Sequence, residues 1–104
     1  MANPDDTESS HVEQLLDQTF EFDDDTSIHA TAWNVPATDA YPDGIHYRFH
    51  FGSPDGTIIR YDNAHDGRHE RHSPDGSIEP VDFPGVVELY ERFLDEVAEW
   101  RSER

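Results

Sequence analysis

The sequence contains no cysteine and no lysine among its 104 residues. The absence of cysteine excludes disulfides, thiolate zinc sites and a cysteine nucleophile. No apolar run approaches the roughly 20 residues that cross a membrane, and the first residues lack the positive and apolar regions of a signal peptide. We therefore expect a cytoplasmic protein with no membrane segment. The length predicts a single domain over residues 1–104.

The charges are strongly unbalanced. Asp and Glu number 24 against seven Arg, and the formal net charge is −17. An acidic surface without lysine is typical of halophilic archaea that keep salt in the cytoplasm, because self-repulsion is screened when the Debye length falls to about 3 Å at 1 M salt. The alternatives are an ordinary acidic protein and a protein with a basic partner.

The central segment differs from the rest of the chain. Residues 46–72 contain four Arg, four acidic residues and five of the seven His, whereas the remainder contains three Arg and 20 acidic residues. An electroneutral segment rich in His and Arg favours anion binding. The alternative is that a sheet simply carries fewer charges than helices and tails.

The N-terminal region predicts a disordered segment followed by a short helix. Residues 1–9 are polar, and Ser10 and Glu13 have the spacing of a capping box. Val12, Leu16 and Phe20 then fall on one helical face, together with Leu15. The pattern predicts a helix over residues 11–18.

The middle of the chain predicts an antiparallel meander over residues 19–81. The tripeptide Pro-Asp-Gly occurs at 42–44, 54–56 and 74–76, and Asp66-Gly67 adds a weaker turn signal. Pro sets φ at the first turn position and Gly takes the positive φ, so each copy favours a hairpin. Five strand-like runs lie at 27–33, 45–51, 57–63, 68–72 and 77–81. We expect five or six strands.

The last segment predicts a long helix over residues 84–102. Pro84 suits the first helical position, and Asp82 lies near the positive end of the helix dipole. A broad apolar stripe extends from Val86 to Trp100. The predicted fold class is therefore α+β, with a short N-terminal helix and a long C-terminal helix packed on one face of the sheet.

The turn at 54–56 allows a register to be predicted for the two strands around it. A three-residue loop with a bulge pairs Ser53 with Thr57. Counting outward, the pairs are Phe51–Ile59, His50–Arg60, Phe49–Tyr61 and Arg48–Asp62. This register separates an apolar face from a polar one, and a slip of one residue would mix the two. The polar face contains His46, Arg48, His50, Arg60 and Asp62.

These residue types suit phosphate chemistry. Arg60 and Arg48 would hold a phosphate, since arginine binds it bidentately and stays charged. His50 would act as general base or acid, and Asp62 would position Arg48 or a histidine. His46 and His72 are predicted substrate-binding residues. Together these residues are the groups that a metal-independent ribonuclease needs. We expect the side chains of His50 and Arg60 to be exposed. The alternative is a solvated face with salt pairs such as Arg48–Asp62.

A second possibility concerns His65, His69 and His72, with Asp62 and Asp66 nearby. Imidazole and carboxylate groups suit Zn, Ni or Mn. On a strand, however, residues three apart point to opposite faces, so His69 and His72 could share one metal only on a loop. We predict no metal ligand and no cofactor.

Two motifs resemble the TumE-type toxin family. They are the run Tyr-Arg-Phe-His-Phe at 47–51 and the run Arg-Tyr-Asp-Asn-Ala-His at 60–65, joined by the Pro-Asp-Gly turn. The resemblance covers roughly residues 44–98. It implies a small α+β toxin of a two-gene toxin–antitoxin module that acts on RNA. The family has a Pro/His/Lys/His-rich cluster in this region, where the present sequence reads Arg-His-Glu-Arg-His at 68–72. The resemblance therefore implies a functional role for His72 more than for His69.

Three hypotheses follow. The first is a TumE-like toxin with an RNA-directed activity. The second is a binding module that meets an antitoxin protein or a second copy of itself as a homodimer. The third is a small His-rich metal-binding protein.

Overall fold

The computed structural model describes residues 12–65 and 67–103. Six antiparallel strands form one sheet in the order β1-β2-β3-β4-β5-β6, and a helix follows them. The elements are β1 (Glu13–Glu21), β2 (Ser27–Asn34), β3 (Ile45–Ser53), β4 (Gly56–His65), β5 (Arg68–His72), β6 (Ile78–Pro80) and α1 (Val86–Ser102). The predicted meander with a C-terminal helix is confirmed. Residues 1–9, predicted to be disordered, lie outside the described residues.

The predicted N-terminal helix is wrong, because residues 13–18 belong to strand β1. This strand pairs antiparallel with β2, and Phe20 lies opposite Ile28. The apolar residues that fit a helical face also fit a period of two, since Leu16, Phe20 and Phe22 all occupy even positions. Pairing with β2 overrides the local helix signal, as tertiary context commonly does for a short segment. Ser10, the predicted cap, lies outside the described residues.

The β3–β4 hairpin confirms the predicted register except at the turn. Phe51, His50, Phe49 and Arg48 lie opposite their predicted partners on β4. Ser53, however, pairs with Gly56 instead of Thr57, and the irregularity lies between Phe51 and Gly52. The prediction placed the extra residue in the loop, whereas the structure places it inside β4. Because one extra residue is present either way, the faces of both strands come out as predicted.

The helix covers the apolar face of the sheet. The core contains five large side chains of the hairpin together with the inward residues of β2 and α1; all are buried, namely Ile28, Ala30, Ala32, Tyr47, Phe49, Phe51, Ile59, Tyr61, Leu89, Phe93 and Val97. Ring centroids of Phe49 and Phe93 are 5.8 Å apart, and those of Phe51 and Trp100 are 5.3 Å apart. The aromatic residues therefore fix α1 above β3.

The helix begins at Val86, two residues after its predicted start. Gly85 is the N-cap, with φ of 135°, a backbone conformation that only glycine adopts easily. Pro84 therefore lies outside the helix instead of at its first position. No helix in the described part of the chain is long and apolar enough to cross a membrane.

Candidate functional site

The sheet surface opposite α1 carries the predicted site, and we call it the open face. It is formed by the outward residues of β2 to β5, and no described element packs over it. Because paired residues on neighbouring strands share a face, the registers place ten side chains there: His29, Thr31, Trp33, His46, Arg48, His50, Arg60, Asp62, Glu70 and His72. All six residues predicted for the site are among them.

Arg60, Asp62 and His72 form a contact cluster at the β4–β5 end of the open face. Arg60 Nε lies 2.7 Å from Asp62 Oδ2, an ion-pair distance without the alignment of a hydrogen bond. Arg60 Nη2 lies 3.0 Å from His72 Nε2, which must accept, because a guanidinium only donates. His72 Nε2 is 3.9 Å from Asp62 Oδ2. The cluster thus links the predicted catalytic pair to the predicted binding residue His72.

Burial and a backbone hydrogen bond hold the side chain of Asp62 in place. It is buried, and Oδ1 accepts a hydrogen bond from the backbone N–H of Ala64 at 3.3 Å. The predicted salt pair Arg48–Asp62 is absent among the described residues, although the two residues are directly opposite on their strands. Asp62 therefore positions Arg60 instead of Arg48. The side chain of Arg60 is 25% exposed, so the expectation that Arg60 is exposed is wrong.

His50 lies opposite Arg60 on β3. Its Nε2 is 3.0 Å from Oγ1 of Thr57, and the residue is partly buried, contrary to the expectation of exposure. Burial lowers the pKa of His50, and the positive charges of Arg48 and Arg60 and neighbouring His29 lower it further. A neutral imidazole beside two guanidinium groups can accept a proton, which is the role of a general base.

Arg48 and His46 continue the row of residues along β3. Arg48 is exposed and, within the described residues, forms no ion pair. The ring of His46 lies 5.1 Å from that of Tyr41, and His46 pairs with Trp33 on β2. Arg48 is thus the cation of this face that is most available to an incoming anion, while His46 lies beside two aromatic residues.

Of the histidines considered as metal ligands, His69 and His72 lie on opposite faces of β5. His69 lies on the helix side of β5, where its ring stacks on Phe83 at 4.5 Å. Its Nδ1 is hydrogen-bonded to the hydroxyl of Tyr47 at 2.9 Å, and its Nε2 is 2.8 Å from Asp43 Oδ2. His72 lies on the open face, so the two histidines cannot share a metal, as predicted. The side chain of His65 lies outside what the structure describes.

A different group has the composition of a metal site. Ligand atoms of Asp62, Glu70 and His72 lie within 4.8 Å of one another. Arg60 contacts both Asp62 and His72, so a guanidinium already supplies the positive charge at this place. A metal ion would bind these three residues only after Arg60 had moved away.

Sequence reasoning missed His29, Trp33 and Glu70 on the open face. The signal was present in residues 27–34, where Ile28, Ala30 and Ala32 alternate with polar and aromatic residues. Small alanines give a weak hydrophobic alternation, and the pairing of β2 with β3 makes it visible. Glu70 is placed by its pairing with Asp62 across β4 and β5.

Comparison with protein-family models gives a match to one family, described as Toxin TumE, over residues 5–101. The match extends well beyond the segment 44–98 that carried the sequence resemblance. Neither the comparison with curated proteins nor that with solved structures gives a match. Because the family model matches nearly the whole sequence, the chain belongs to the TumE toxin family.

Proposed function

We propose that the chain is a toxin that acts on RNA through the open face. The observation that carries this proposal is the placement of Arg48, His50, Arg60, Asp62 and His72 on one face of three adjacent strands. These groups lie in the electroneutral segment of a chain whose remaining residues carry the whole net charge of −17. A phosphate would find the guanidinium groups of Arg48 and Arg60 there. Of the two carboxylates on this face, Asp62 is already paired with Arg60, and Glu70 at the β5 end is the one that would compete with the phosphate.

The arrangement supports a cleavage that needs no metal. Arg48 and Arg60 would bind a phosphodiester and stabilise the charge that develops on it. His50, whose pKa is lowered by burial and by its cationic neighbours, would remove the proton from the attacking 2′-hydroxyl. The 2′-oxygen would bond to phosphorus as the P–O5′ bond breaks, and the 5′-oxygen would leave with a proton from solvent on the side of the phosphate that His72 contacts. His46 with Trp33 would contact a neighbouring base by stacking. Asp62 would act only by positioning Arg60.

Two measurements test this function. Expression of the parent chain should arrest growth, and the purified chain should cleave or bind RNA. Arg48→Ala and His50→Ala should each lower both effects about 100-fold, the usual range for a group that acts on the transition state. Arg92→Ala is the matched control for Arg48, because Arg92 is also exposed but lies on α1. If all three variants match the parent, the open face is solvated surface and the proposal is wrong.

Salt concentration is part of the same test. At low salt a net charge of −17 repels RNA, and molar salt screens this repulsion while close arginine contacts persist. Adaptation to a salt-rich cytoplasm would therefore appear as both higher activity and higher thermal stability at about 1 M KCl than at about 0.1 M. A chain that unfolds at the same temperature in both solutions would contradict the halophilic assignment.

The main alternative is a metal-binding protein, favoured by the Asp62, Glu70 and His72 cluster. Metal analysis of the purified chain distinguishes the two. Stoichiometric zinc or nickel that is lost in Glu70→Gln would support the alternative, and Arg60→Ala should then raise the metal affinity.

A further inference from the structure

The two edges of the sheet are built differently. Strand β6 has three residues and ends at Pro80, which lacks a backbone N–H. Strand β1 has nine residues without proline, and no described strand pairs with its outer side. Native sheets usually protect an edge by shortness, proline or a covering element. Edge β6 is protected in this way. Strand β1 has an irregularity between Gln14 and Leu16 and three carboxylates, which also protect an edge, but residues 16–21 pair regularly with β2 and leave backbone donors and acceptors on their outer side available to another chain.

An apolar groove runs beside this edge on the helix side of the sheet. Two adjoining cavities of about 310 and 320 Å³ share Phe22, Ile28 and Leu94 in their walls. Phe20, which is 56% exposed, Tyr90 and the polar Gln18 complete the first cavity. Helix α1 packs mainly over β3. On the helix side of β1, Leu16 is partly buried against the core, whereas Gln18 and Phe20 remain exposed. Exposed apolar surface of this kind is typical of a protein contact.

We propose that the β1 edge and this groove bind one extended segment of the cognate antitoxin in which basic and apolar residues alternate. The proposal rests on the toxin function, because membership of a toxin family is what implies an antitoxin. An added strand would place alternate side chains in the groove and the others above the open-face side of β1. Asp17 and Glu21 lie on that side, opposite Thr31 and Ser27, and would face basic residues.

Charge also argues against a second copy of this chain as the occupant. Strand β1 contains Glu13, Asp17 and Glu21 and no basic residue. Pairing two copies would bring carboxylates of both strands together, and like charges on neighbouring strands are destabilising. A net charge of −17 on each copy adds to this repulsion. A segment carrying Arg or Lys is attracted by the same groups.

The test uses the product of the antitoxin gene adjacent to that of this chain as the probe. Its affinity for the parent chain is compared with that for Phe20→Asp and Leu94→Asp, with Ile78→Asp as control. Ile78 is as exposed as Phe20, at 56%, but lies on β6. We expect each groove variant to weaken binding about tenfold or more, the effect of losing one interface anchor. The control should stay close to the parent.

A second measurement detects pairing of the β1 backbone with the added segment. Hydrogen exchange of the Glu13–Glu21 amides should slow on binding if the segment adds a strand to β1. It does not depend on the folding of any variant. An antitoxin that binds all four chains equally, protects other strands, or does not bind the parent chain would overturn the proposal. Loss of a parent homodimer in Phe20→Asp would identify a second copy as the occupant and overturn it equally.

The outcome is separable from that of the proposed function. Phe20→Asp and Leu94→Asp should remain toxic and should resist neutralisation by the antitoxin, since neither residue lies on the open face. RNA cleavage is measured on the chain alone and antitoxin binding on the pair. A chain that binds its antitoxin at β1 but neither cleaves nor binds RNA would refute only the function.

Discussion

The two faces of the β3–β4 hairpin use the same backbone for opposite purposes. On the helix side, Phe49 and Tyr61 are fully buried in an aromatic core. On the open face, Arg48 is exposed and His50 and Arg60 are partly buried. The first face supplies stability through removal of apolar area from water. On the second face the exposed Arg48 contributes little to folding, whereas Arg60 is paired with the buried Asp62.

Of the substitutions on the two faces, Phe49→Ala should change the free energy of unfolding most. Removal of a buried phenyl group that contacts Phe93 should lower the free energy of unfolding by about 3–5 kcal/mol. Denaturant titration measures the change. A loss below about 1 kcal/mol would mean that α1 does not pack on β3 as described.

Arg60→Ala should have the second-largest effect on the free energy of unfolding, because Arg60 lies on the open face and also stabilises the fold. It would leave the buried Asp62 without its ion pair and should cost about 1–3 kcal/mol, the penalty for an unsatisfied buried group. Activity losses in this variant therefore need a stability measurement beside them. Adding Asp62→Asn should restore much of the stability, since no buried charge then remains unpaired. A double variant as unstable as Arg60→Ala would show that the pair is unimportant.

Arg48→Ala should change the free energy of unfolding by less than about 0.5 kcal/mol, as exposed substitutions do. Its expected effect on RNA binding is large. Arg48→Ala would thus change binding and not stability, whereas Phe49→Ala would change stability. The measurement is thermal unfolding of the variant beside the control Arg92→Ala. Marked destabilisation by Arg48→Ala alone would give this residue a structural role.

The smallest effect concerns the pH dependence of His50. Its pKa is lowered in the folded chain, chiefly by burial and then by Arg48 and Arg60. In the unfolded chain the pKa of His50 is about 6.5, so the unfolded chain binds the proton first as the pH falls. The free energy of unfolding therefore decreases between about pH 6.5 and the lower pKa of the folded chain. Above about pH 6.5 it does not depend on His50. Arg48→Ala should raise the pKa of His50, measured by NMR titration. An unchanged value would exclude Arg48 as a cause.

The hairpin was the part of the fold that the sequence predicted best. Strict alternation of Tyr47, Phe49 and Phe51 with His and Arg, bounded by Pro-Asp-Gly, fixes both the faces and the register. The N-terminal segment was predicted wrongly, because its apolar residues satisfy two periods at once. Only the partner strand β2 decides between them. Trp33 was missed because its strand alternates with small alanines.

The sequence by itself determined which residues of the β3–β4 hairpin share the open face, since a strand with a period of two has only two sides. It also determined the acidic charge and the electroneutral centre. The tertiary structure alone decided that Asp62 pairs with Arg60 instead of Arg48, because burial and side-chain reach depend on neighbouring strands. It likewise decided that β1 is a strand with an unpaired edge beside an apolar groove, since an edge exists only relative to the rest of the sheet.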